Sequence, residues 1–378
     1  MELDLADLKV TNGVRLFLCG DVMLGRGIDQ ILPHPGDPAL HEEYMHSAAD
    51  YAVLAERKNG TIQRPANFEY VWGDVLAALQ QAKPALRIVN LETSITTSSD
   101  FAAKGINYRM NPANVAVLQA AGIDCCVLSN NHVLDFGTNG LDETLRTLES
   151  VHIRHAGAGR TAVEASAPAQ LPLPGGGRVL VFAFGLQSSG IPPLWAAGQN
   201  QPGVNFLSEV SETAIDHIAQ YASAIRNEGD LLVASLHWGG NWGYTVLPAQ
   251  RAFAHDLIDI AGFHLIHGHS SHHPRAIEIY RDRLILYGCG DFITDYEGIS
   301  GYEEFRPELS VAYLPQVTAQ GALTGMTMIP FRMRKFRLNR ATAEDARWLQ
   351  ARLERESSGF ATHVRLNADG ILSTAQLV

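Results

Sequence analysis

Ile123-Asp124-Cys125-Cys126-Val127-Leu128-Ser129-Asn130-Asn131-His132 is the stretch on which the reading of the fold turns. Its first six residues form a mostly apolar run of strand length, and four polar residues follow without a break. A helical segment begins just beyond, near Asn139-Gly140-Leu141-Asp142-Glu143. Polar side chains between a buried strand and the next helix are where open α/β sheets hold their ligands. Asn offers a carbonyl oxygen to a metal, and His offers a nitrogen ligand or a proton near neutral pH.

The same arrangement recurs four more times. Residues 14–19 read as a buried strand ending in Gly20-Asp21, and residues 86–89 as one ending in Asn90-Leu91-Glu92. Residues 231–236 lead into His237-Trp238-Gly239. Residues 263–266 lead into His267-Gly268-His269-Ser270-Ser271-His272-His273-Pro274. Four imidazoles crowded together would repel one another when protonated, so a cation among them is a natural stabiliser. Periodicity predicts helices over 68–82, 111–121, 141–148, 211–227, 248–261 and 342–354. Strands are expected over 152–156 and 178–184, and a hairpin-like pair over 275–280 and 283–287. Residues 309–314 and 326–337 alternate as half-exposed antiparallel strands do. Residues 33–67 read as an irregular lid or substrate loop, and the tail beyond 357 as peripheral.

The chain of 378 residues is 46% hydrophobic and 18% charged, ordinary for a soluble globular protein. Its net charge of -11 argues against nucleic acid or an anionic membrane as the main partner. No apolar run reaches the ~20 residues of a membrane span. The acidic first residues lack the features of a signal peptide, so a cytoplasmic location is expected. The four cysteines form no C-x-x-C pair and read as buried free thiols rather than zinc ligands.

Five strand ends thus carry Asp21, Glu92, Asn131-His132, His237 and His269/His272. Oxygen and imidazole donors without thiolate suit Mn, Fe or Zn. They are too many for one tetrahedral catalytic zinc, and suit two divalent metal ions, Mn favoured, sharing a carboxylate at roughly 3.5–4 Å. Such a pair lowers the pKa of a bridging water and stabilises charge on a transferring phosphoryl group. Which of His267, His269, His272 and His273 are ligands stays open on the residues alone. Arg26, Arg109 and Arg306 are candidates for holding a small anionic substrate, Trp238 and Trp242 for walling the pocket, and Asp291 for orienting a metal-bound His or capping a turn.

In order, Gly20-Asp21, Asn90-Leu91-Glu92, Ser129-Asn130-Asn131-His132, His237-Trp238-Gly239, Gly268-His269-Ser270-Ser271-His272-His273-Pro274 and Tyr287-Gly288-Cys289-Gly290-Asp291-Phe292 resemble the CapA proteins of poly-γ-glutamate capsule synthesis. These belong to the calcineurin-like metallophosphoesterase superfamily. The resemblance covers roughly residues 14–315. It implies a four-layer α/β/β/α fold over residues 1–340, with residues 341–378 a C-terminal helix and tail packed on it. It further implies Asp21 on the first metal, Glu92 bridging, Asn131 and His237 on the second, and His269 and His272 completing the two spheres. His132 matches the position that protonates the leaving group, and Asp21 joins it in the catalytic set. Two departures stand out. Met23 occupies the place of a superfamily His, and Glu92 the place of an Asp. The expected activity is hydrolysis of a small phosphorylated metabolite. The alternatives are a non-catalytic or assembly role in poly-γ-glutamate or capsule synthesis, or a dinuclear-metal amide hydrolase. A homodimer is compatible with the chain.

Overall fold

Along the first strand, Val14–Val22, alternate side chains go to different cores. Leu16 and Leu18 join one apolar cluster while Phe17 and Cys19 join another, as the two-residue period of a strand requires. The computed structural model describes residues 13–376, and it repeats this sorting on every central strand. Leu86 and Ile88 of Leu86–Leu91 lie with Leu16, and Val89 and Leu91 with Phe17. Val179, Val181 and Ala183 of Arg178–Leu186 face this same inner cluster, while Leu180, Phe182 and Phe184 face a third.

The clusters define four layers. The inner one lies between two sheets. Each outer one lies between a sheet and helices: Ala48–Asn59, Asp74–Ala82 and Gly137–Ser150 on one side, Glu212–Ile225 and Pro248–Asp259 on the other. This is an α/β/β/α sandwich. Each fully buried Leu or Phe contributes about 1.5–3 kcal/mol, so the three clusters dominate the stability.

The first sheet has ten strands. Val14–Val22, Leu86–Leu91, Cys125–Val127 and Arg154–Ala156 run parallel in that order. Beyond Val14–Val22 the sheet turns antiparallel through Leu309–Val317 and Leu323–Arg334. The second sheet has seven strands. Its parallel centre is Arg178–Leu186, Leu231–His237, Leu265–His269 and Arg283–Leu286. Parallel strands deliver their C-terminal ends to one edge of each sheet, and the polar blocks lie at those ends.

Some expectations needed correction. The stretch over 33–67 contains the helix Ala48–Asn59, whose Tyr51, Ala52 and Ala55 are buried. The surrounding prolines hid it. The helix expected over 68–82 begins only at Asp74, because Gly73 has a positive φ of 48°. The strand expected to end at 266 runs to His269, so His267 and His269 are strand residues on one face, their rings 4.1 Å apart. The tail is not peripheral. Thr362–Leu366 and Leu372–Gln376 form a hairpin on the edge of the first sheet, and Leu349 and Leu353 of Ala343–Ser357 enter the inner cluster. No helix among the described residues is long and apolar enough to cross a membrane.

His264 precedes the strand Leu265–His269, and its Nδ1 accepts the Leu232 N–H at 2.9 Å. Burial, with Arg283 and Arg226 nearby, pushes its pKa down to about 4. The unfolded chain, with an ordinary His near ~6.5, therefore takes up this proton first as pH falls. The stabilisation is complete above about 6.5 and is lost as pH falls towards 4. By pH 4.5 the loss is on the order of 2 kcal/mol. His264→Asn keeps an acceptor for Leu232 without the titration. Urea unfolding at pH 7.5 and 4.5 should show a smaller acid loss in the variant than in the parent.

Candidate metal centre

Asp21 enters the site because two backbones meet more closely than side chains permit. Asp291–Ile293 runs parallel to the end of Val14–Val22, with Asp21 in register with Asp291. A methyl group on Gly20 would lie 1.5 Å from the Gly290 carbonyl oxygen, and the Asp21 N–H donates to that oxygen at 3.0 Å. Gly20→Ala must therefore part the two strands. It should destabilise the fold by about 3 kcal/mol or more, read as a lowered Tm.

The other side chains converge from separate loops. Asn90, at the end of Leu86–Leu91, donates through Nδ2 to Asp21 Oδ1 at 2.7 Å and accepts from Asn130 Nδ2 at 3.0 Å. His237 Nε2 lies 3.0 Å from Asn131 Oδ1 and 3.8 Å from Glu92 Oε1. His132 Nε2 lies 3.9 Å from the same Glu92 oxygen, and His269 Nδ1 lies 3.4 Å from Asp21 Oδ1. His272 Nδ1–H donates to Asp291 Oδ1 at 2.9 Å. Donor atoms of Asp21, Glu92 and His237 all fall within 4.8 Å of one another.

The donor set fits a cation. Asp21, Glu92 and Asp291 are each 2% exposed or less, and Asp21 Oδ2, Glu92 Oε2 and Asp291 Oδ2 have no hydrogen-bond partner. Burial, and then the Asp21 charge, push Glu92 well above the usual carboxylate range. Burial also raises Asp291, against the pull of His272. For Asp21, burial is outweighed by the His269 hydrogen bond, the electrostatic pull of the His237 and His269 rings and the Asn90 amide, which leave it below its usual value. Burial holds His237 down to about 3, so it is neutral and its lone pair is available to a metal. An uncompensated buried carboxylate costs several kcal/mol, and a divalent cation among these oxygens removes that cost.

Of the four clustered histidines, His267 and His269 are anchored alike: each donates Nε2–H, to the Cys19 carbonyl and the Ser235 hydroxyl, and leaves Nδ1 buried without a partner. His273 packs on Tyr244 and Phe305. His269 and His272 face the carboxylates. Asp291→Asn keeps an acceptor for His272 but removes a charge, and should weaken divalent metal binding roughly tenfold or more by titration calorimetry.

Of the three arginines named from the sequence, Arg26 and Arg306 line a cavity beside His272, but all three have their donors engaged within the fold. Arg26 is clamped by Asp295 (2.8 and 2.5 Å) and Glu42 (2.9 Å) and stacks on Tyr51. Arg109 donates to the Ser98 and Asp37 carbonyls, and Arg306 pairs with Asp345 and Glu308. Their guanidinium donors are spent on the fold. Trp238 is fully buried, its ring stacked on Tyr287 and its N–H donated to the Tyr287 carbonyl. Trp242 does stand beside His272, at 5.1 Å between rings.

Sequence reasoning missed Asn90, Lys104 and Asp135. His132 Nδ1–H donates to Asp135 Oδ2 at 2.6 Å, and Lys104 Nζ lies 2.7 Å from Asp135 Oδ1 and 3.2 Å from His132 Nδ1. The His132-Val133-Leu134-Asp135 spacing carried a signal for Asp135; nothing local marked Lys104. Burial outweighs the Asp135 attraction and lowers His132 to about 4. Neutral at pH 7, its Nε2 accepts a proton. To donate one to a leaving group, it must first have its pKa raised by an anionic substrate.

A cavity of about 800 Å³ opens beside His272, Trp242 and Tyr296. Its outer wall includes Arg57 and Lys58, from the last turn of Ala48–Asn59, and Arg334. Arg57 and Arg334 are exposed and, among the described residues, make no ion pair or side-chain hydrogen bond.

Comparison with known proteins identifies the family. Residues 15–296 match the family described as bacterial capsule synthesis protein PGA_cap. A "probable polyglutamine synthesis accessory protein" of Mycobacterium tuberculosis is 45% identical over 95% of each chain. The capsule biosynthesis protein CapA of Bacillus anthracis is 26% identical over 74% of this chain and 59% of its own length. The PGA biosynthesis protein CapA of Bacillus subtilis is 24% identical over 78% and 66%. With the strand-end blocks gathered at one sheet edge and most of the chain matched, this protein belongs to the bacterial capsule synthesis protein family PGA_cap, the CapA family.

Proposed function

We propose that this chain is an accessory factor in the synthesis of a glutamate-based or capsular polymer, and that it receives a stretch of anionic chain at its metal centre. The relatives' names supply the process. The cavity beside His272, with Arg57 and Arg334 unpaired on its wall, is the observation that carries the assignment to an extended anionic ligand. Its volume lies within the ~300–1,000 Å³ range of pockets for drug-sized ligands, more than one phosphate group fills. Two divalent ions, Mn favoured, would be held by Asp21, Glu92, Asn131, His237, His269 and His272, and would supply Lewis acidity. Four buried free thiols fit a reducing compartment, the cytoplasm. A homodimer fits the same reading.

The test is binding of a fluorescent ten-residue oligo-γ-glutamate against a dipeptide of the same units. The decamer should bind at least tenfold tighter, and Arg57→Glu/Arg334→Glu should remove that gain. The charge-matched control Arg146→Glu/Arg154→Glu should not. Equal binding of decamer and dipeptide would end this reading.

A second reading, phosphoester hydrolysis, is favoured by one observation: His132, held by Asp135 and Lys104, points Nε2 at Glu92. In it, Asp135 fixes the ring, Lys104 balances the Asp135 charge, and His132 moves a proton at the leaving oxygen. Purified protein with Mn²⁺ should then hydrolyse an aryl phosphate. A rate no higher than that of a Glu92→Ala/His132→Ala double variant, across several divalent metals, would dismiss it. Hydrolysis of γ-glutamyl amides instead of phosphate esters would point to an amide hydrolase.

A further inference from the structure

Met23 leaves the first cation short of one donor. Its side chain is buried, and its sulfur accepts from the Tyr296 hydroxyl at 3.4 Å. A thioether is a poor ligand for a hard divalent ion. We propose that Asp291 is itself a metal ligand and takes the place of the imidazole that Met23 does not provide. This inference rests on the metal-centre reading above.

Three observations carry it. The Gly20–Gly290 contact seats Asp291 in register beside Asp21, on the neighbouring parallel strand, and Asp21 is two residues before Met23 in the chain. The Asp291 carboxylate is 1% exposed and uses only Oδ1, to accept from His272, leaving Oδ2 without a partner. Two cations of this region are spent elsewhere: Arg26 on Asp295 and Glu42, Lys104 on Asp135. A carboxylate that merely oriented His272 needs one oxygen, and its second would be expected to find water or a donor. Here the second oxygen is buried without a partner, as are Asp21 Oδ2 and Glu92 Oε2, and the Asp291 carboxylate feels the Asp21 charge. Carboxylate oxygen is also a better donor than a thioether for Mn²⁺.

The experiment counts metal and reads its spectrum. Wild-type protein loaded with Mn²⁺ and desalted should hold two ions per chain and give the multiline EPR signal of an exchange-coupled pair. Asp291→Ala should hold one, with the six-line signal of an isolated ion. Met23→His/Asp291→Ala should regain the second ion and the coupled signal. An orienting role alone would not be repaired by an imidazole at position 23. The proposal is overturned if Asp291→Ala keeps two tightly held ions, if the double variant stays at one, or if the wild type holds one. A wild type that holds none defeats the metal-centre reading as a whole. Should Asp291→Ala fail to fold, Asp291→Lys places an ammonium at the same spot, and retention of two ions there overturns the proposal equally.

Discussion

Glu92→Gln is expected to change stability in opposite directions with and without metal. Glu92 is 2% exposed, has one orphaned oxygen, and is pushed well above the usual carboxylate range by burial and the neighbouring Asp21 charge. In metal-free protein it is a liability, and its neutral isostere should raise unfolding stability by roughly 1–3 kcal/mol. In Mn²⁺-loaded protein the same change removes the donor shared between His237 and Asp21. Loss of a group that only supports a ligand costs 10–100-fold in affinity, so loss of this one should reach about 100-fold or more. Calorimetric unfolding with EDTA and with excess Mn²⁺ reads both effects. A variant less stable than wild type under both conditions would mean that Glu92 serves packing and that no cation lies beside it.

His132→Ala is expected to separate chemistry from metal binding. His132 faces Glu92 through Nε2 at 3.9 Å, while Asp135 holds its Nδ1 at 2.6 Å. A positioned imidazole that transfers a proton in the transition state contributes about 10²–10⁴-fold. In any hydrolysis the protein performs, kcat should fall by that factor while the Mn²⁺ count stays the same. Lys104→Met should cost less, about tenfold, since it acts through Asp135 and His132. The ring also packs edge-on against Tyr108 at 4.6 Å, so a modest loss of stability is expected alongside. If kcat is unchanged in His132→Ala while the metal count drops, His132 belongs among the ligands and the proton must come from elsewhere.

Much of the architecture was legible because it is written at short range. Apolar runs over 14–19, 86–89 and 178–184 already read as strands, the four-layer sandwich was what the resemblance implied, and in the structure successive side chains of these strands enter different clusters. The strand-end blocks were legible for the same reason: a polar group directly after an apolar strand must emerge at its C-terminal end. Asp21, Glu92, Asn131, His132, His237 and His269 do meet there. The helix Ala48–Asn59 was not legible, because prolines on either side mask a short apolar stripe, Tyr51, Ala52 and Ala55, that is buried only within the outer cluster.

The sequence by itself determined where the central strands lie and which polar blocks sit at their C-terminal ends, since each depends on residues a few positions apart. Only the tertiary structure decided what those groups are free to do. Arg26 looks like an anion-binding guanidinium until Asp295, 269 residues away, takes its donors. His267 could offer either ring nitrogen until the Cys19 carbonyl, 248 residues away, accepts its Nε2–H and leaves only Nδ1. Asp291 looks like a turn residue until Gly20 lets its strand lie against Asp21. A charged group's role is fixed by which opposite charge or orphaned donor it meets across the fold. That pairing is a long-range property that no local pattern contains.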